Sequence, residues 1–369
     1  MSNRLETWNP VGSILKRRDR SYITPRDGLV SGVDQPTANN TGAYAGTQDA
    51  TLNSDQIITT PGTILENKII NGVVFIRAAD VTVRNCYIRG GASVGSCLVD
   101  CSNAACSNAL IIDCTIAPGN NQMCDGIRGH DFTAKRNNVY WCVDGIGPYN
   151  PTAAQPYQTN VVIEQNYIHD LSWWTAASVG VVHPSDTETH NDVIQHHGGG
   201  GTIIKGNTLD ARYGRQYAHW FCTGDPQVEP YTSVALHSLP DGGPYQPLPD
   251  RGTGTEADGR YNTDDQACLM INNIVGYTFQ LHVTDNWFIG GNFAVNGGGN
   301  TNPGGGVFLG EFKRNRFSRD QANQGSGGDT TQTINFQGAG WTSADADIPL
   351  TGVDKNYYGD NNAAITVRY

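Results

Sequence analysis

The sequence predicts a right-handed parallel β-helix, and three observations carry that expectation. A short phrase recurs along the chain, its spacing is about that of one coil of three short strands, and the composition suits strands joined by many turns. The chain has 369 residues, of which 45 are glycine and only 16% are charged. That length permits one extended domain or two compact ones, and a repeat running through most of it favours one.

The phrase is a polar residue, then Asn or Cys, then any residue, then a large apolar one. It occurs nine times, anchored at Asn67, Cys86, Cys114, Asn138, Asn166, Asn207, Asn286, Asn315 and Asn356. Alternating strands such as Val81-Thr82-Val83 and Val161-Val162-Ile163 precede several anchors. From Asn67 to Asn166 the steps are 19, 28, 24 and 28 residues, and larger steps mark inserted loops. Irregular periods exclude a propeller or a leucine-rich array, whereas a β-helix tolerates loops that project from its corners. Parallel crossovers are right-handed almost without exception. Stacked coils bring equivalent residues about 4.8 Å apart, so the anchor asparagines are expected to form a hydrogen-bonded ladder.

Two segments interrupt the repeat. Residues 211–264 are rich in Pro, Gly and aromatics, including Trp220, and read as a large excursion over one face of the domain spanning 61–369. Residues 1–60 lack the phrase and read as a cap or attachment segment for an otherwise open strand edge. A net charge of −11 would repel a phosphate backbone, and the single basic run, Lys16 to Arg20, is too short to offset it. No apolar run is long enough for a membrane span, and no signal peptide is legible, so a chain made in the cytoplasm and not inserted in a membrane is expected. The nine cysteines match no zinc spacing and read as buried thiols, with no metal or cofactor expected. Cys86 and Cys114 fall in one column at a separation that would also allow a disulfide.

A second phrase, Asp followed two residues later by Ile, gives Asp125, Asp144 and Asp192. These lie between successive anchors and should stack as a row of carboxylates, with Cys97 ending the row. Adjacent coils suit a retaining glycosidase pair at about 5 Å, and alternate coils reach the upper limit of an inverting pair at about 9.5 Å. Like charges so close raise at least one pKa, as a general acid requires. The competing expectation is that these aspartates bond backbone amides at turns. Asp192 sits in the densest polar group of the chain, with His190, Gln195, His196 and His197, where a histidine beside a carboxylate could shuttle a proton or hold a sugar hydroxyl. His169, Asp170, Trp173 and Trp174 follow one strand, and exposed indoles there and at Trp220 would stack on sugar rings.

The runs Gly72-Val73-Val74-Phe75-Ile76-Arg77-Ala78-Ala79-Asp80-Val81-Thr82-Val83-Arg84-Asn85, Tyr167-Ile168-His169-Asp170-Leu171 and His190-Asn191-Asp192-Val193-Ile194-Gln195 resemble the pectate-lyase-like β-helix proteins of actinobacteria and their phages. With the stretch Asn39-Asn40-Thr41-Gly42 to Gly46-Thr47, the resemblance covers roughly residues 36 to 210. It implies a fold shared by polysaccharide lyases, hydrolases and phage tail proteins, without choosing among them. The paired-Arg pattern of pectate lyases is not evident. Absence of a signal peptide favours a phage minor tail protein, a tail-tip or tailspike-like virion component that binds host envelope polysaccharide, with cleavage through Asp192 and Asp144 or Asp125 left open. By the same analogy it would be a homotrimer, joined to other tail proteins through its N-terminal segment. A free polysaccharide-degrading enzyme and a purely structural virion protein are the alternatives.

Overall fold

The computed structural model describes residues 29–91, 96–119, 124–150, 158–171, 191–211, 267–271, 278–291, 293–297, 308–318, 334–335, 348–359, 362–363, 365 and 367–368. Among them every regular element is a short β-strand, and all strand pairs are parallel, as a coil that returns above itself requires. Three sheets run along the molecule. Sheet A has ten strands, from Ala50–Leu52 to Tyr357–Tyr358; sheet B has ten, from Gln56–Ile58 to Val367–Arg368; sheet C starts at Ile64–Glu66. Consecutive strands of the chain step from A to B to C and then into the next coil, so the architecture is a parallel β-helix.

Apolar residues stack in columns inside. Ile70, Ile88, Ile116, Val139, Ile168, Leu209, Phe288 and Phe317 pair in series along sheet A, all fully buried. The last two rings stack at 4.8 Å. Burying a side chain of this size contributes about 1.5–3 kcal/mol, so a one-residue slip of register would be costly.

The recurrent phrase has a physical reading. Its polar residue turns the corner from sheet C to sheet A in the left-handed region, with φ of 50° at Asn85, 54° at Asp113, 52° at Arg136, 58° at Gln165 and 63° at Asp285. The next residue begins the ladder. The backbone amide and Nδ2 of Asn137 both donate to Asn166 Oδ1, and the same pair of bonds, at 2.9–3.0 Å, links Asn166 to Asn207, Asn207 to Asn286, Asn286 to Asn315 and Asn315 to Asn356. Two anchors need correction. Asn138 faces outward and the ladder member is Asn137, whereas Asn67 is itself a corner residue, with φ 57°. In both places two apolar residues stand together, Val139-Tyr140 and Ile69-Ile70, and packing selects the one the repeat alone could not. Cys86 and Cys114 occupy the same column in the coils before the ladder and are buried free thiols, their Sγ atoms directed at backbone carbonyls.

The β-helix begins earlier than residue 61. Ala50–Leu52, Gln56–Ile58 and Ile64–Glu66 pair with the next coil and form the first one. Residues 29–48 form a strap running lengthwise along the corner between sheets C and A. Arg316 Nη2 donates to Gly32 O, the Gly42 amide to Arg136 O, the Ala43 amide to Thr115 Oγ1 and the Tyr44 amide to Asn85 Oδ1. The strap thus crosses six coil steps, about 29 Å at the usual strand spacing, which an extended run of that length can span. Gly42 is its tightest point: φ is 76°, and a Cβ would sit 2.7 Å from Asn138 Cβ and from Thr115 Oγ1. Gly42→Ala is expected to cost at least about 1 kcal/mol more than Gly46→Ala. Gly46 shares the positive φ but has nothing within 4 Å of its Cβ position, so the difference in unfolding midpoint isolates the strap contact. The excursion at 211–264 falls, apart from Ala211, outside the described residues.

Candidate functional site

Asp125, Asp144 and Asp192 stand in successive strands of sheet B, Asp125–Gly129, Ile146–Pro148 with its lead-in, and Asp192–His196. The register Ile127↔Ile146↔Ile194 aligns the three aspartates, with Cys97 before them and Ala267 after. Each strand bends just past its aspartate, so that two consecutive residues face inward. Gly126 abuts Val139 Cγ1, Gly145 abuts Ile168 Cγ2, and Val193 and Ile194 are both fully buried. The aspartate before each pair therefore faces the outer side of sheet B.

The row is a ladder of carboxylates. Asp125 Oδ1 accepts the Asp144 amide at 3.2 Å, Asp144 Oδ1 the Asp192 amide at 2.9 Å, and Asp192 Oδ1 the Ala267 amide at 3.0 Å. Relative exposures of 7%, 5% and 0% make this stack costly to ionise. Burial is the main cause that raises the Asp125 carboxyl, against the opposing pull of Arg128 and the Asp144 amide. Asp144 is pushed well above the usual carboxylate range, first by burial and then by Asp125 and Asp192 on either side.

Side chains three residues further on stand over the row. Arg128 Nε lies 2.9 Å from Asp125 Oδ2, an ion pair in which the Nε–H is not aligned on the oxygen and is left without a hydrogen-bond acceptor. Its Nη2 is 3.2 Å from His197 Nε2, two coils away, and the His197 ring meets Tyr149 edge-on at 5.6 Å. Gln195 Nε2 donates to Asp192 Oδ2 at 3.2 Å. Between Arg128 and Gln195 the same column holds Gly147, which has no side chain.

Several expected site residues are elsewhere. His196 is turned into the coil, its Nε2 on Thr202 Oγ1 at 2.9 Å and its Nδ1 accepting the Gly198 amide at 3.3 Å. Burial, with a smaller push from His197, lowers its pKa to about 3, so it is a neutral interior residue, and its ring does not share the outer face with the row. His169 and Asp170 belong to sheet A, bonded to each other at 2.6 Å, with His169 stacked on Tyr167 at 3.9 Å and held by Asn138 Oδ1. His190, Trp173, Trp174 and Trp220 lie outside the described residues.

No protein-family model, curated protein or solved structure matches this chain. Its site is therefore read from its own geometry. Among the described residues no group of three His, Cys, Asp or Glu side chains could hold a metal ion. What the arrangement offers is a carboxyl that burial and its neighbours push toward the protonated form, Asp144, between two further carboxyls about 5 Å away along the sheet, the layout of an acid and a nucleophile or base. Arg128, Gly147 and Tyr149 were not singled out by sequence reasoning. The signal was present as the third residue after each aspartate, Arg128, Gly147 and Gln195, a spacing that acquires meaning only once the strand bend is known.

Proposed function

We propose that the outer face of sheet B binds a polysaccharide chain, and that the row of Asp125, Asp144 and Asp192 cleaves it, Asp144 acting as general acid. One observation carries this reading. Where the fold needs only an acceptor for the backbone amide of an adjacent coil, this chain uses asparagine six times in the ladder beside sheet A. In sheet B it uses three buried carboxylates, which do the same structural task at a desolvation cost. Such a cost fits chemistry that needs a proton donor beside an ionised partner.

The setting we propose, from the resemblance in residues 36 to 210, is a phage tail-tip or tailspike-like protein, assembled as a trimer and acting on host envelope polysaccharide. Attachment to other tail proteins would fall to residues 1–28, because 29–48 are engaged along the chain's own sheet A. A purely structural role is the second reading, favoured by the backbone amide that each carboxylate accepts.

Incubating purified envelope polysaccharide with wild type and Asp144→Asn separates them. Release of reducing ends by the wild type, reduced about 100-fold or more in the variant, is the expected result. An unsaturated product would mark elimination and its absence hydrolysis. Binding without release would leave an adhesin, and neither binding nor release would remove the polysaccharide reading.

A further inference from the structure

The outward column of sheet B that carries Arg128 continues into the preceding coils through Asp100 and then Phe75, which pair in register. There the turn that leaves sheet B after Cys101 and the strand of the coil before it border an open cleft of about 380 Å³. Phe75, Arg77, Asp100, Ser102, Asn103 and Ala104 line it. Its volume falls within the range of about 300–1,000 Å³ usual for small-ligand sites.

The polar groups of the cleft are held in place but not used up. Asp100 Oδ1 accepts both the backbone amide of Ser102 at 2.8 Å and its hydroxyl at 2.6 Å, and among the described residues no hydrogen bond reaches Oδ2. Asn103 Oδ1 accepts the Ala105 amide at 2.9 Å, which leaves its Nδ2 as a donor. The Arg77 guanidinium lies 5.2 Å from the centre of the Phe75 ring, and no carboxylate among the described residues pairs with it. Arg84, Lys135, Arg136 and Arg314, by contrast, each meet a carboxylate. Arg77 is therefore a fork of donors steadied by an aromatic ring, with no acceptor supplied by its own described neighbours.

The mixture of groups selects the ligand. An anion would gain from Arg77 what it loses to Asp100 in the same cleft, and the net charge of −11 disfavours it further. Adjacent hydroxyls use both kinds of group: one O–H donates to Asp100 Oδ2, and the neighbouring oxygen accepts from Arg77 or from Asn103 Nδ2. Phe75 adds apolar surface for the C–H face of a sugar ring. We propose that this cleft is a sugar subsite, separate from the carboxylate row, that recognises adjacent hydroxyls of a neutral sugar residue through Asp100 and Arg77. The inference rests on the polysaccharide reading of sheet B and gives it a substrate class, a neutral glycan rather than an acidic one. A chain seated here continues directly toward the row, because Asp125 pairs with Cys97 of the strand that carries Asp100.

Arg77→Leu removes the donor and Ala104→Trp fills the cleft; both positions are exposed, so unfolding midpoints should stay at the wild-type value. Each change is placed in the Asp144→Asn protein, where a bound chain is not cut, and binding is measured to the envelope polysaccharide, dextran, mannan, galactan and polygalacturonate. The expected result is binding of at least one neutral glycan, weakened at least about tenfold by either change, with polygalacturonate bound no better than the neutral chains. Unchanged affinity in either folded variant would overturn the subsite while leaving the reading of the face intact. Polygalacturonate bound most tightly, and lost with Arg77→Leu, would overturn the neutral class. If neither this protein nor the wild type binds any of the glycans, the polysaccharide reading falls and the subsite with it.

Discussion

Asp144→Asn is expected to make the protein more stable at pH 7 and to remove part of its pH dependence. The amide keeps an oxygen for the Asp192 N–H, the bond now made by Asp144 Oδ1 at 2.9 Å, and it is neutral at every pH, whereas the buried carboxyl between Asp125 and Asp192 must hold a proton to be so. Replacing a buried ionisable group by a well-fitting neutral one is commonly stabilising by about 1–3 kcal/mol. The direction with pH follows from proton binding. The native pKa of Asp144 lies well above its ordinary value of 3.8. Between those two values the folded protein holds more protons than the unfolded one, so wild-type stability falls as pH rises through that interval and levels off above it. The variant lacks this slope, and its advantage should therefore be small near pH 4 and grow as pH rises. His196 works in the opposite sense, since its lowered pKa of about 3 means that acid favours unfolding below its ordinary value of 6.5. It is present in both proteins, so it cancels in the difference between their guanidinium midpoints across pH 4 to 8. A difference that stays flat over this range, or a variant weaker at pH 7, would show that Asp144 titrates normally. Paired with loss of glycan cleavage, a gain in stability would identify the carboxylate row as kept for chemistry at the expense of the fold.

Asn166→Ala should produce a large loss of stability. Asn166 Nδ2 donates to Ala134 O and Glu164 O at 2.9 and 3.2 Å and to Asn207 Oδ1 at 2.9 Å, while its Oδ1 accepts from the amide and the Nδ2 of Asn137. Alanine leaves those groups buried without the partner that Asn166 supplies. Each orphaned group costs about 1–3 kcal/mol, and a loss of about 3–5 kcal/mol in all is expected because bonds in a chain strengthen one another. In a solenoid each coil leans only on its neighbours, so the coils on either side of Asn166 should weaken together. Hydrogen exchange at the amides of Val139 and Leu209 would report this. A loss below about 1 kcal/mol, or exchange confined to the mutated coil, would mean that the ladder fills space without coupling the coils.

How far these features were legible in the sequence differs by element. The fold class and the alignment of Asp125, Asp144 and Asp192 could be read because both depend on local rules. A left-handed corner favours Asn or Asp, an inward position needs a large apolar residue, and a coil that rises by one strand spacing repeats both in register. Those rules left the exact ladder member open wherever two suitable residues adjoin, as at Asn137-Asn138 and Ile69-Ile70, and only interior packing resolved them. His196 shows the same limit. Its neighbours in sequence are polar, yet strand alternation and the pair Thr202 and Thr278 draw its ring inward.

By itself, then, the sequence determined the coil, its columns and the row of carboxylates, because each is a contact between residues related by one repeat. Tertiary structure decided what lies across those columns. Arg128 reaches His197 two coils away past Gly147, and residues 29–48 cross six coil steps along sheet A. Such contacts join residues that share no period, and they depend on side-chain reach and on which positions are left empty, quantities that exist only once the coils are stacked.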